Sequence, residues 1–205
     1  MEIKVNNLGS KTIETNRLIL KAGTINEQKY LWGLIMKPEI NKYYLTIPKK
    51  FKDKLSDWSI QEKYYLEEMK HSLDFNVYKW SIFLKDGGNC IGKCDCHEAK
   101  DENEKITNPN IRGVGWIIDS KYQGNGYGTE AAEAMIKYMF EDVGIDSIIT
   151  SAAIENISSW KIMNKLGFKM SNKTKFVQYT FQDALTENYE YILTKEMYFQ
   201  KNIEK

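Results

Sequence analysis

The chain has 205 residues, 42% of them hydrophobic and 28% charged, with a formal net charge of +1. That length fits one domain with a core of its own. The charge balance argues against a dedicated nucleic-acid binder, which carries a basic excess; no apolar run reaches the ~18 residues of a membrane span, and the start, "MEIKVNNLGSK", lacks a secretory apolar core, so the expected location is the cytoplasm.

After an N-terminal extension (residues 1–13), "RLILKA" (17–22) alternates and reads as a strand. "TINEQKYLWGLIM" follows as a helix, with Thr24 as its cap, Glu27 three residues on, and Tyr30, Leu31, Leu34 and Ile35 facing inward. Residues 39–55 are aromatic and irregular. A second helix is expected over 57–72, with Ile60, Tyr64 and Met69 inward. "VYKWSIFL" (77–84), "KDGGN" and "CIGKCDCH" (90–97) read as strand, hairpin turn and strand. A polar stretch with an acidic run at 101–104 precedes "IRGVGWIID" (111–119), a strand in which Gly113 and Gly115 mark a bulge or a close backbone approach.

"YQGNGYGTEAAEAM" (122–135) places three alternate glycines before a helix reaching about residue 142. "SIITSA" is a strand, and "ENISSWKIMNKLG" a helix with Asn156 as N-cap and Gly167 just past its end. "FKM" opens another strand, "YEYILTKEM" (189–197) is the last, and 198–205 is a tail. The order is β-α-α-β-β-β-α-β-α-β-β: a single α/β (α+β) domain with a central, mixed, mostly antiparallel sheet of about seven strands flanked by helices.

The cysteines, Cys90, Cys94 and Cys96, are odd in number and point to no disulfide framework. Cys94, Cys96 and His97 lack a second distant ligand pair, and the only other histidine is His71, so no metal is expected.

The glycine loop fails both nucleotide fingerprints. Thr129 stands where G-x-G-x-x-G needs its last glycine, and no lysine separates Gly128 from Thr129 as a Walker loop requires. It does match Gln-x-x-Gly-x-Gly, at Gln123, Gly126 and Gly128. With "ENISSWKIMNKLGF" downstream and "RLILKA" upstream, the chain resembles the GNAT acetyltransferase superfamily, and within it the Rim-type ribosomal-protein N-terminal acetyltransferases, over residues 14–197. The resemblance implies acetyl-CoA as cosubstrate, with Gln123, Gly124, Asn125, Gly126, Gly128 and Thr129 around its pyrophosphate. Trp116, Ile117 and Ile118 would lie along the pantetheine arm and acetyl group, with Asn156 and Ser159 nearby.

Acetyl transfer needs a donor for the carbonyl oxygen, a neutral amine and a proton for the departing thiolate. Many members of the superfamily carry a tyrosine seven residues after the asparagine; here that residue is Met163, and the resemblance offers Ser159 as the acid instead. Ser159 also sits in a first helical turn, where serine serves local hydrogen bonding. Asp95, Glu98 and His97 are the candidate bases beside water, and alternation puts Asp95 and His97 on one face. Tyr43, Tyr44 and Trp58, among lysines, are candidate walls of the acceptor site. The acceptor reads as a peptide α-amine or a small amine such as an aminoglycoside or polyamine, the alternative being a non-catalytic acyl-CoA-binding module; the protein is expected as a monomer or homodimer.

Overall fold

The computed structural model describes residues 8–70, 78–99, 106 and 108–203. Alternating sequence lays down eight strands: β1 (Ile13–Glu14), β2 (Leu18–Lys21), β3 (Tyr78–Leu84), β4 (Cys90–Glu98), β5 (Ile111–Ile118), β6 (Ser147–Ala153), β7 (Lys169–Val177) and β8 (Thr186–Thr194). They form one sheet in the order β1-β2-β3-β4-β5-β6-β8-β7. Every pairing is antiparallel except β5 with β6. The helices are α1 (Ile25–Ile35), α2 (Pro38–Asn41), α3 (Lys52–Leu55), α4 (Trp58–Lys70), α5 (Tyr127–Tyr138), α6 (Ile157–Leu166) and α7 (Lys195–Ile203).

The sheet separates two cores. On one face Leu20, Ile82 and Val114 pack with Ala131 and Met135 of α5 and Met163 of α6. On the other, Trp32, Ile35, Leu55 and Tyr65, from α1, α3 and α4, pack on Ile117. Burial of one such leucine or isoleucine favours folding by about 1.5–3 kcal/mol before entropy is counted.

Helix α1 starts as its sequence directs: the Glu27 carboxylate accepts the Thr24 N–H at 2.7 Å, closing a capping box. Its inward face is turned slightly from the expected one. Trp32 is buried with Leu31, Leu34 and Ile35, whereas Tyr30 is 38% exposed and donates its hydroxyl to Asp119. The face expected of α4 is wrong: Ile60, Tyr64 and Met69 are exposed, and the buried residue is Tyr65, edge-on to Trp32 and stacked on Trp58. A helix that sends one large ring into the core carries no apolar stripe to read.

Three further differences concern boundaries. The eighth strand is β1, too short to announce itself. The irregular stretch holds α2, α3 and a 3₁₀ turn at Lys49–Phe51. The last strand ends at Thr194, whose hydroxyl accepts the Met197 N–H and starts α7; Tyr198 then stacks on Phe140 at 4.9 Å. The expected bulge in β5 is absent: its register with β4 is unbroken from Arg112↔Glu98 to Ile118↔Gly92. His71, Val77 and the acidic 101–104 run lie outside the described residues.

Candidate active site in the β5–β6 cleft

Strands β5 and β6 pair only through Ile111↔Ser147 and Arg112↔Ile148, and the Thr150 hydroxyl then donates to the Val114 carbonyl at 3.2 Å. Past that point the two strands line a cleft of about 840 Å³. Val114 to Ile118 form one wall, Thr150 to Ala152 the other, with Asn156, Ser159 and Met163 beside them. A strand edge that has lost its partner offers N–H and C=O groups to a ligand.

The glycine loop sits at the mouth. Asp119, buried at the end of β5, accepts the Tyr30 hydroxyl and the Lys121 N–H. Burial acts to raise its pKa, but these bonds and nearby Lys37 and Lys121 outweigh it, so the carboxyl titrates below its ordinary value. Gln123 folds back to donate to the Ile118 carbonyl at 2.8 Å, and the Asn125 amide donates to the carbonyls of Tyr122 and Gln123. Both therefore brace the loop. Gly124 and Gly126 have φ of +79°, where a side chain costs about 1–2 kcal/mol. A Cβ at Gly124 would meet nothing within 4 Å. Gly128 has another reason: its Cβ would lie 3.3 Å from Ile162, so it lets α5 approach α6.

Among the described residues, the N–H groups of 124–129 take no partner, and the first helical bond runs from Glu130 to the Gly126 carbonyl. A cradle of unpaired N–H groups at a helix start, with no Cβ in the way, fits a pyrophosphate. Arg17 anchors it: its guanidinium donates to the Asn125 carbonyl at 3.0 Å and to Glu130 at 2.7 Å, and lies 4.6 Å over the Tyr127 ring. Glu130 also accepts the Thr15 hydroxyl and the Arg17 N–H. Burial acts to raise the pKa of Glu130, yet these partners hold it below the ordinary value, so its charge is neutralised locally rather than turned against an anion.

The opposite face of β5 explains Gly113 and Gly115. A Cβ on Gly113 would lie 2.3 Å from His97 Nε2, and one on Gly115 3.3 Å from the Asp95 carboxylate. The two glycines clear a floor on which these β4 side chains rest. His97 Nδ1 lies 2.9 Å from Asp95 Oδ2. Burial acts to raise the Asp95 pKa, but His97, Lys93 and Lys79 outweigh it, and the net shift is down. An ionised Asp95 can only accept, which puts a proton on Nδ1; in the neutral ring Nε2 is then the acceptor. Both residues line the cleft.

Tyr43 and Tyr44 line the cleft as well. Burial, and then the charge of Asp95, push the Tyr44 hydroxyl well above its ordinary pKa. Their segment is strapped to the β7–β8 connection: the Thr180 N–H and hydroxyl donate to the Leu45 and Ile47 carbonyls, each at 2.8 Å, and Tyr43 packs edge-on against Tyr179. The strap joins two segments that both line the cleft.

Two expected site residues are not brought there. Glu98 points to the other face of β4, 4.0 Å from the buried guanidinium of Arg112. Trp58 stacks on Tyr65 in the second core. Arg17, Thr150 and Tyr179 were not expected at the site. "RLILKA" reads as a strand whether or not its arginine reaches a loop 108 residues away. Asn156 caps α6, its Oδ1 accepting the Ser159 N–H at 3.4 Å. Among the described residues the Ser159 hydroxyl makes no hydrogen bond, and no group of three or more His, Cys, Asp or Glu is placed to hold a metal ion.

The chain is similar to known proteins in sequence and fold. It is 30% identical over 94 residues to the uncharacterized N-acetyltransferase YnaD of Bacillus subtilis, a match covering 46% of this chain and 51% of that protein. With the uncharacterized N-acetyltransferase p20 of Bacillus licheniformis it shares 25% identity over 160 residues, covering 78% and 83%. Its fold is similar to that of RimL, a ribosomal L7/L12 alpha-N-protein acetyltransferase solved with coenzyme A (TM-score 0.71, 13% identity, covering 90% of this chain and 98% of that one). The model of the acetyltransferase (GNAT) domain matches residues 17–169, so the chain belongs to that family of acetyl-CoA-dependent N-acetyltransferases.

Proposed function

We propose that this protein transfers an acetyl group from acetyl-CoA to a primary α-amine presented end-on, by direct attack in a ternary complex. The observation that carries this reading is the Asp95–His97 pair, seated on a floor cleared by Gly113 and Gly115 inside the same cleft as the glycine cradle. The loop N–H groups hold the pyrophosphate, and the edge of β5 near Trp116 to Ile118 supplies donors for the acetyl oxygen. His97 Nε2 takes the amine proton as the N–C bond forms, and Asp95 holds the ring. The C–S bond breaks, Ser159 gives its proton to the departing sulfur and takes one back from solvent, and His97 releases the amine proton to solvent.

The strap between Leu45–Ile47 and Thr180 supports an end-on acceptor. A free amine reaches His97 by its end, while a lysine within a folded partner would need an open surface. The test compares a lysine-free peptide with a free N-terminus against an N-blocked peptide carrying one lysine. CoA release with the first alone is expected; equal release with the second would contradict an end-on α-amine.

Ser159→Ala tests the acid. General acid help is worth ~10²–10⁴-fold, and a thiolate is a good leaving group, so a fall in kcat near the low end is expected. The CoA dissociation constant and melting temperature should hold, because the backbone N–H, not the hydroxyl, binds the Asn156 cap. Turnover within about twofold of the parent would pass the role to water.

A further inference from the structure

A second cavity, of about 210 Å³, lies between the sheet and the helices α1 and α4. Trp32, Ile35, Tyr65 and Met69 give it apolar walls. Tyr44 and Leu45 line both this cavity and the cleft, so the two spaces share one partition. That partition stands beside the proposed base: Lys93 and Cys94 border the cavity, and Asp95, next in the strand, faces the cleft. Apolar space left open next to a reacting centre suits part of a substrate, since packed interiors leave few voids larger than a water molecule.

We propose that this cavity is the acceptor's specificity pocket, and that the acceptor is a primary amine bearing an apolar, aromatic-sized substituent close to the nitrogen. The inference rests on the acetyl-transfer reading above. With the amine at His97, its substituent passes Tyr44 and enters between Tyr65 and Met69. The charges at the cavity favour this class over a polycation. Among the described residues Glu68 is the one carboxylate lining it, and it is already paired with Lys79. Lys93 stands 5.7 Å over the Tyr44 ring and would repel a second ammonium group. Two sources carry the same chemistry: a free arylalkylamine, and a peptide whose first residue is phenylalanine or leucine.

The experiment measures kcat/KM for phenylethylamine against ethylamine, for a Phe-initiated peptide against a Gly-initiated one, and for spermidine. A hydrophobic pocket discriminates by about 10–200-fold. At least about tenfold preference for the apolar member is expected in one or both pairs, the pairs separating a small amine from a peptide as the source. Met69→Trp, which fills the cavity from α4, should erase the preference by lowering kcat/KM for the apolar member of each pair. Ala22→Leu, at another residue lining the cavity, serves should the first variant fail to fold. No preference, a preference for spermidine, or a preference that survives filling would overturn the assignment. Calorimetric binding of phenylethylamine and ethylamine to the CoA-loaded protein judges the pocket apart from catalysis. Tighter phenylethylamine binding without turnover would keep the pocket and remove the transferase reading; equal binding of the two amines would remove the pocket.

Discussion

His97→Gln is expected to lower kcat by ~10²-fold or more, with the KM for acetyl-CoA little changed. General base help spans ~10²–10⁴-fold, and bulk deprotonation of the amine sets the low end here. Glutamine keeps the approximate size of the side chain but not its basic nitrogen. Asp95→Asn should act in the same direction, because it removes the carboxylate that fixes the ring 2.9 Å away. Gly113→Ala makes the argument geometric. Its Cβ would fall 2.3 Å from Nε2, so the ring must leave its seat although no chemical group has been removed. Loss of turnover in all three variants, with CoA binding retained, is the expected pattern. Full activity in His97→Gln would return the role of base to water.

The second large effect is on the cosubstrate. Gly126→Trp is expected to raise the KM for acetyl-CoA by ~10–100-fold, since each hydrogen bond to a charged group is worth about 1.5–3 kcal/mol and the indole would stand where the phosphates approach. The positive φ of Gly126 adds about 1–2 kcal/mol of strain, so the melting temperature should fall as well. Circular dichroism and a CoA titration on the same sample separate the two effects. A folded variant with unchanged KM would remove the cradle from residues 124–129.

Much of this arrangement was legible in the sequence, because local chemistry writes it. The capping box of Thr24 and Glu27, the glycines of the 86–88 turn and the cap formed by Asn156 each need only a few neighbouring residues. The glycine loop was legible for the same reason, through residue types that backbone approach demands. What escaped depends on distant partners. Gly113 and Gly115 suggested a bulge or a close backbone approach, but their reason lies on the next strand, in His97 and Asp95. Glu98 looked equivalent to its neighbours until its face and Arg112 were known. Trp58 among lysines looked like a groove wall, and only the ring of Tyr65 shows that it is core. The C-terminal helix was hidden by its shortness and by the strand that runs straight into it.

In the proposed reaction the β5–β6 cleft joins a CoA cradle to an amine site at His97. The measurement that tests it most directly is amine-dependent CoA release, followed as free thiol, in the parent protein and in His97→Gln, with CoA binding measured in parallel. Release that saturates with a primary amine in the parent, and that collapses in His97→Gln while CoA binding is preserved, is the predicted result. A parent protein that binds CoA but releases thiol with no primary amine, or a His97→Gln variant as active as the parent, would contradict it.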